Sequence, residues 1–92
     1  MISENELLDV FDLDELDDTK HLCMLILFSS AVGYLRGLTD DLNAQGIKAE
    51  GKVWVNGVPM VVAELTIKEM LDVTSRWSCI KEVCPNRKVV LN

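Results

Sequence analysis

A chain of 92 residues, 49% apolar, with two Trp and 26% charged residues, has the makings of one α+β domain with a modest core, and its composition excludes a disordered polymer and leaves no room for a second domain. Its formal net charge of −6 at pH 7 argues against a surface built to hold DNA or RNA phosphates. The charge is also unevenly spread, and that asymmetry carries most of the functional information.

Eight of the first eighteen residues are carboxylates (Glu4, Glu6, Asp9, Asp12, Asp14, Glu15, Asp17 and Asp18), with no Lys or Arg among them. Beyond Asp18, seven acids face nine bases, so the chain divides into an acidic segment 1–18 and a slightly positive core 19–92. Ser3-Glu4-Asn5-Glu6 has capping-box spacing and predicts a helix start. Leu7, Leu8, Val10 and Phe11 share one face of that helix, and Glu6, Asp9 and Asp12 the other. Leu13 and Leu16 fall out of phase, so the helix should end near Asp12. An acidic connection over 13–18 follows, with Asp17 or Asp18 capping the next helix.

That next helix is predicted to be the long core helix, from about Thr19 to Asn43, ended by Ala44-Gln45-Gly46. Leu25, Phe28, Val32, Leu35 and Leu42 form its apolar seam, widened by Leu22 and Leu38, while Gly33 and Gly37 offer sites of close approach. The apolar run Leu22 to Leu35 is only fourteen residues long, against roughly 18 or more for a membrane span, and reads as a buried core helix. The seam reads first as intramolecular core and second as a helix-to-helix dimer interface, and the small core adds to the case for a homodimer.

After Gly46 the period changes to two. Val53-Trp54-Val55, Asn56-Gly57 and Val58 to Val62 predict a β-hairpin with a two-residue turn. Pro59, lacking an amide donor, predicts an edge strand or a position whose donor would face solvent. Thr66-Ile67-Lys68-Glu69 is a second capping box, opening a C-terminal helix to about Val83 along the face Ile67, Met70, Leu71, Thr74, Trp77, Ile80 and Cys84, with Pro85 as its stop. The tail 86–92 offers either a short third strand or a cover for a neighbouring subunit.

Catalytic chemistry finds little support. His21 stands alone, with no nucleophile motif near it, and reads as a boundary residue. The five glycines form no phosphate-cradling loop and no dinucleotide fingerprint. Cys23, Cys79 and Cys84 are too few for a disulfide framework and badly spaced for zinc, so they read as reduced structural thiols. With no cationic leader ahead of an apolar stretch, the expected compartment is the cytoplasm. Asp12, Asp14 and Asp17 resemble the start of a calcium loop, but Leu16 occupies a ligand position, Asp17 replaces the turn Gly, and Cys23 replaces the closing Glu. Neither a metal nor a cofactor is expected. Direct nucleic-acid binding is not expected either, because the bases are dispersed and both Trp residues read as core.

The acidic segment therefore carries the functional reading. A helical row from residue 4 to 18, rising about 1.5 Å per residue, would place one charge roughly every 3 Å. One DNA strand carries a charge about every 3.4 Å. In size, in the Glu/Asp-rich start from Glu4 to Asp18 and in the lack of a catalytic motif, the chain resembles the DNA-mimic proteins of the anti-restriction nuclease (Arn) type from T-even phages. That resemblance implies a cytoplasmic, non-enzymatic dimer whose acidic surface occupies the DNA-binding site of a basic host protein, such as a restriction endonuclease or a nucleoid protein. A second reading makes the segment an amphipathic recognition helix that docks its leucines in a partner's groove, with the acids steering approach. The destination of Leu7, Leu8, Val10, Phe11, Leu13 and Leu16 separates the two.

Overall fold

A computed structural model describes residues 2–86 and contains three α-helices, one 3₁₀ segment and four strands: α1 (Glu4–Val10), β1 (His21–Leu27), the 3₁₀ segment (Ser29–Tyr34), α2 (Leu35–Ala44), β2 (Ala49–Val53), β3 (Pro59–Leu65), α3 (Ile67–Arg76) and β4 (Ile80–Pro85). The strands form one sheet in the order β2-β3-β1-β4, every neighbouring pair antiparallel. From β1 onward this is the split βαβ, or ferredoxin-like, arrangement, with α1 added in front. The α+β class expected from sequence holds. Its elements differ in part.

The largest difference is the predicted long core helix. Its first third is strand β1, followed by the 3₁₀ segment, and only Leu35–Ala44 is α-helical. Leu22 to Leu27 are all apolar, so the run has no polar residue to reveal its period, and a strand with apolar side chains on both faces cannot be told from a buried helix by periodicity. In the fold the period is two: Cys23, Leu25 and Leu27 are buried, while Leu22, Met24 and Ile26 point to the other side. Asp17 and Asp18 consequently cap no helix and lead into a strand. The Gly46 stop is found as expected, at φ 81°. Gly37 lies 3.4 Å, measured from an ideal Cβ, from the Trp77 ring, whereas nothing approaches Gly33.

The hairpin joins β2 to β3 but closes differently from the expected two-residue turn. Gly57 N–H donates to the Trp54 carbonyl at 2.8 Å and Trp54 N–H donates to the Val58 carbonyl at 3.0 Å, enclosing a three-residue loop in which Gly57 alone has positive φ. The Asn56 side chain accepts from Val58 N–H, a local bond that stands in for the left-handed Asn of the tighter turn. Pro59 begins β3, which is an internal strand and not an edge; at the first strand position its missing donor costs no ladder bond already begun. Trp54, expected in the core, is 45% exposed.

The C-terminal helix opens as predicted, with Thr66 Oγ1 accepting from Glu69 N–H and Glu69 Oε1 accepting from Thr66 N–H. It ends at Arg76, not Val83, and Ile80–Pro85 is strand β4. A bulge gives β4 the apolar spacing of a helix. Ile80 pairs with Leu27 and Glu82 with Ile26, leaving Lys81 as the extra residue, so the buried Ile80 and Val83 stand three apart, as they would on a helix. The possible third strand in the tail falls largely on residues 87–92, outside the described residues.

One side of the sheet carries the core. Leu25 lies between Val61 and Val83, and Cys23 between Ala63 and Pro85. Leu38 and Leu42 of α2, Ile67, Met70 and Val73 of α3, and Leu7 of α1 join them in one buried cluster, each large side chain contributing about 1.5–3 kcal/mol on burial. Helix α2 lies so close to β2 that a Cβ on Gly51 would stand 3.0 Å from Thr39 Oγ1 and 3.2 Å from Leu35 Cγ. Gly51→Val should therefore lift α2 and lower stability by about 1–3 kcal/mol, read as a lower urea midpoint at unchanged slope.

A polar network fastens α2 to α3. Asp41 Oδ2 accepts from Arg76 Nη1 at 2.6 Å and from Trp77 Nε1 at 2.9 Å, while Arg76 also donates to Asp72. The Arg76 hydrogen bond, with that of Trp77, holds the Asp41 carboxyl below its ordinary range. A lowered folded-state pKa gives stability that is present above the unfolded value of about 3.9 and is lost as pH falls through the folded value. Arg76 is 38% exposed, so screening reduces the network's worth to about 1 kcal/mol. Asp41→Ala should lower the urea midpoint accordingly at pH 7, with the gap from the native chain closing as the pH drops below about 4.

Candidate functional site

Ser3 starts α1 by accepting from Glu6 N–H at 3.2 Å, and Ser3 N–H donates to Glu6 Oε1 at 2.9 Å. The backbone hydrogen bond from Ser3 leads the causes that lower the pKa of the Glu6 carboxyl. Leu7 is buried, and Leu8, Phe11, Leu13 and Leu16 pack half-buried against the core. Val10, expected on the apolar face, is instead 42% exposed. The helix stops where predicted: Asp12 takes φ 57°, a left-handed conformation that Asp tolerates better than most residues, and Leu13 N–H returns to the Leu8 carbonyl at 2.8 Å. This reversal lets Leu13 and Leu16, out of phase on a continuous helix, turn inward. Asp17 Oδ1 then accepts from Thr19 N–H, steadying the entry to β1.

Glu4, Glu6, Asp9, Asp12, Asp14, Glu15, Asp17 and Asp18 are all exposed. Among the described residues, none of them forms an ion pair with Lys or Arg. Three bases are engaged elsewhere, Lys20 with Glu69, Arg36 with Asp40, and Arg76 with Asp41 and Asp72, whereas Lys81 shares a cleft with Glu6 without pairing with it. The eight carboxylates do not form one straight row. Helix α1 carries Glu4, Glu6 and Asp9 beside α3 and β4, whereas the connection carrying Asp12 to Asp18 runs to the end of the sheet where β1 begins. Of the later acids, Glu64 reaches that end, opposite Leu22 in the register; Asp41, Glu69 and Asp72 are held in the pairs just named.

His21 opens β1 with its ring 5.4 Å from that of Phe11. Its Nε2 is buried without a hydrogen-bond partner and lies 3.8 Å from Asp17 Oδ1. Burial pushes the Cys23 thiol up to about 12, and also raises Cys79 and Cys84, so thiolate, the nucleophilic form, is scarce at neutral pH. Among the described residues no three of His, Cys, Asp and Glu converge as metal ligands would, and no helix is long and apolar enough to cross a membrane. A cleft of about 430 Å³ lies between the start of α1 and the end of α3, with Glu6, Phe28, Ser78, Ile80 and Lys81 on its walls.

A second surface was not legible in the sequence. Among the described residues, six of the eight exposed large apolar ones, Phe28, Val32, Tyr34, Val53, Trp54 and Val55, come from the 3₁₀ region and the hairpin. Both segments lie at the sheet end where β1 finishes, opposite the acidic connection, because Ile26 pairs with Met60 and Val53 with Pro59. On a continuous helix over 19–43 Phe28 and Val32 would join a core seam; the break after Leu27 turns them outward.

No protein-family model matches the chain, and no match is found among curated proteins or solved structures.

Helix α1 is too short to persist alone, so its carboxylates are positioned by tertiary docking. Leu7→Ala should cost about 2–4 kcal/mol and raise amide exchange across Glu4–Val10 more than across β1.

Proposed function

We propose that this protein is a non-enzymatic inhibitor whose acidic segment imitates the charge of a DNA backbone and occupies the DNA-binding site of a basic protein, as the resemblance to phage anti-restriction proteins implies. The observation that carries this reading is the set of eight exposed carboxylates without a Lys or Arg partner among the described residues. Leaving that many like charges without a basic partner raises the field outside the protein. The inward packing of Leu7, Leu8, Phe11, Leu13 and Leu16 supports an electrostatic surface over docking of a leucine-bearing helix, since those side chains are already committed to the core.

The best reversal avoids Glu6, which caps α1, and Asp12, which makes the turn. Asp9, Asp14, Glu15 and Asp18 form no side-chain hydrogen bond among the described residues and can be changed together to Lys. The immobilised native chain should retain basic proteins from a DNA-depleted bacterial lysate at 0.1 M salt and release them to excess duplex DNA. The fourfold variant should keep the native circular dichroism spectrum and retain none of them. Binding should also fade toward 1 M salt, where screening shortens to about 3 Å. Retention that survives the reversal, or that duplex DNA does not displace, would sink the proposal.

A further inference from the structure

Lys81 is the extra residue of the bulge in β4, and a bulge re-aims the side chain that it inserts. Here Lys81 lines both the cleft of about 430 Å³ and a smaller one of about 200 Å³, which share Ile2 and Glu6 as well. One negative and one positive charge are thus brought to a common space, and among the described residues neither has an ion-pair partner. The remaining walls of the larger cleft are of two kinds. Phe28 is 48% exposed, with its backbone held by an N–H donated to the Cys79 carbonyl at 3.1 Å, and Ile2 and Ile80 extend the apolar surface. Thr74 and Ser75 donate their hydroxyl protons to the Met70 and Asp72 carbonyls, so each oxygen is left as an acceptor. Ser78 forms no side-chain hydrogen bond among the described residues.

We propose that this cleft binds a small zwitterion, an α-amino acid with an apolar side chain, whose carboxylate pairs with Lys81, whose ammonium pairs with Glu6 and whose side chain lies against Phe28. The charge pattern selects the class. A phosphate or a simple carboxylate drawn to Lys81 would meet Glu6 as a like charge, and an amine drawn to Glu6 would meet Lys81; a molecule carrying both signs suits both walls. Glu82, the other acid beside Lys81, lines only the smaller cleft. Glu6 Oε1 already accepts from Ser3 N–H, which holds the side chain in place and leaves Oε2 for the ligand. The oxygens of Thr74 and Ser75 add acceptors suited to an ammonium, and an aromatic side chain gains further from the Phe28 ring. The cleft volume lies low in the range of small-molecule sites, ~300–1,000 Å³, which suits a ligand of amino-acid size. The exposed apolar residues around Trp54 and Val55 offer no comparable pair of charges to name an occupant.

The proposal is independent of what the acidic segment binds, because its test reads a free amino acid. Nuclear magnetic resonance titration of the isotope-labelled full chain with L-phenylalanine should shift the amide signals of Glu6, Phe28, Ser78 and Lys81. The shifts should saturate with a Kd of roughly 0.1–1 mM, as suits so small a ligand. Phenylpropanoate, which lacks the ammonium, and phenethylamine, which lacks the carboxylate, should each bind about tenfold more weakly or worse. Lys81→Met removes the partner of the carboxylate at an exposed position and should weaken L-phenylalanine binding by about tenfold or more. Glu6→Gln should do the same while leaving the circular dichroism spectrum unchanged, since Gln preserves the capping box. Lys48→Met, beside β2 at the opposite edge of the sheet, takes away a base without touching the cleft and should bind as the native chain does. No saturable shift at these four residues by about 10 mM L-phenylalanine, ten times the weakest affinity expected, overturns the proposal. Native affinity in Lys81→Met or in Glu6→Gln overturns it too, as does equal binding of the three compounds.

Discussion

Strand β1 sits between β3 and β4 with apolar side chains on both faces, and the positions of the other elements follow from covering them. On one side Cys23, Leu25 and Leu27 need a roof, which α2 and α3 supply through Leu38, Leu42, Met70 and Val73. Two ten-residue helices leave that roof incomplete beside the edge strand β4. Leu7 fills the gap, and with it α1 becomes part of the domain. The acidic face of α1 is therefore a by-product of core closure. A helix that must bury one side beside an edge strand presents its other side to water, and this sequence fills that side with Glu and Asp.

Charge pairing then sorts the remaining ionic groups. Arg76 is held by two acids from α2 and α3, and Lys20 is held by Glu69, whose other role is to cap α3. These pairs tie α2 to α3 and the entry of β1 to α3. The N-terminal acids are left to solvent. The segregation visible in composition is thus preserved through folding: chain reversal at Asp12 and packing of Leu13 and Leu16 bring the connection onto the body of the protein without bringing a described Lys or Arg within ion-pair distance of it.

Features set by local backbone chemistry were legible in the sequence. Both capping boxes, the stop at Gly46, the end of α1 near Asp12 and the existence of the hairpin are determined by a few neighbouring residues, and each is found. What failed depended on long-range context. Leu22 to Leu27 look the same on a helix as on a two-faced strand until β3 and β4 are known to flank them. Ile80 and Val83 keep helical spacing because a bulge at Lys81 inserts one residue into a period of two. The acidic residues could be named from sequence, but their division between a helix beside β4 and a connection at the sheet end could not, since both follow from where β1 begins.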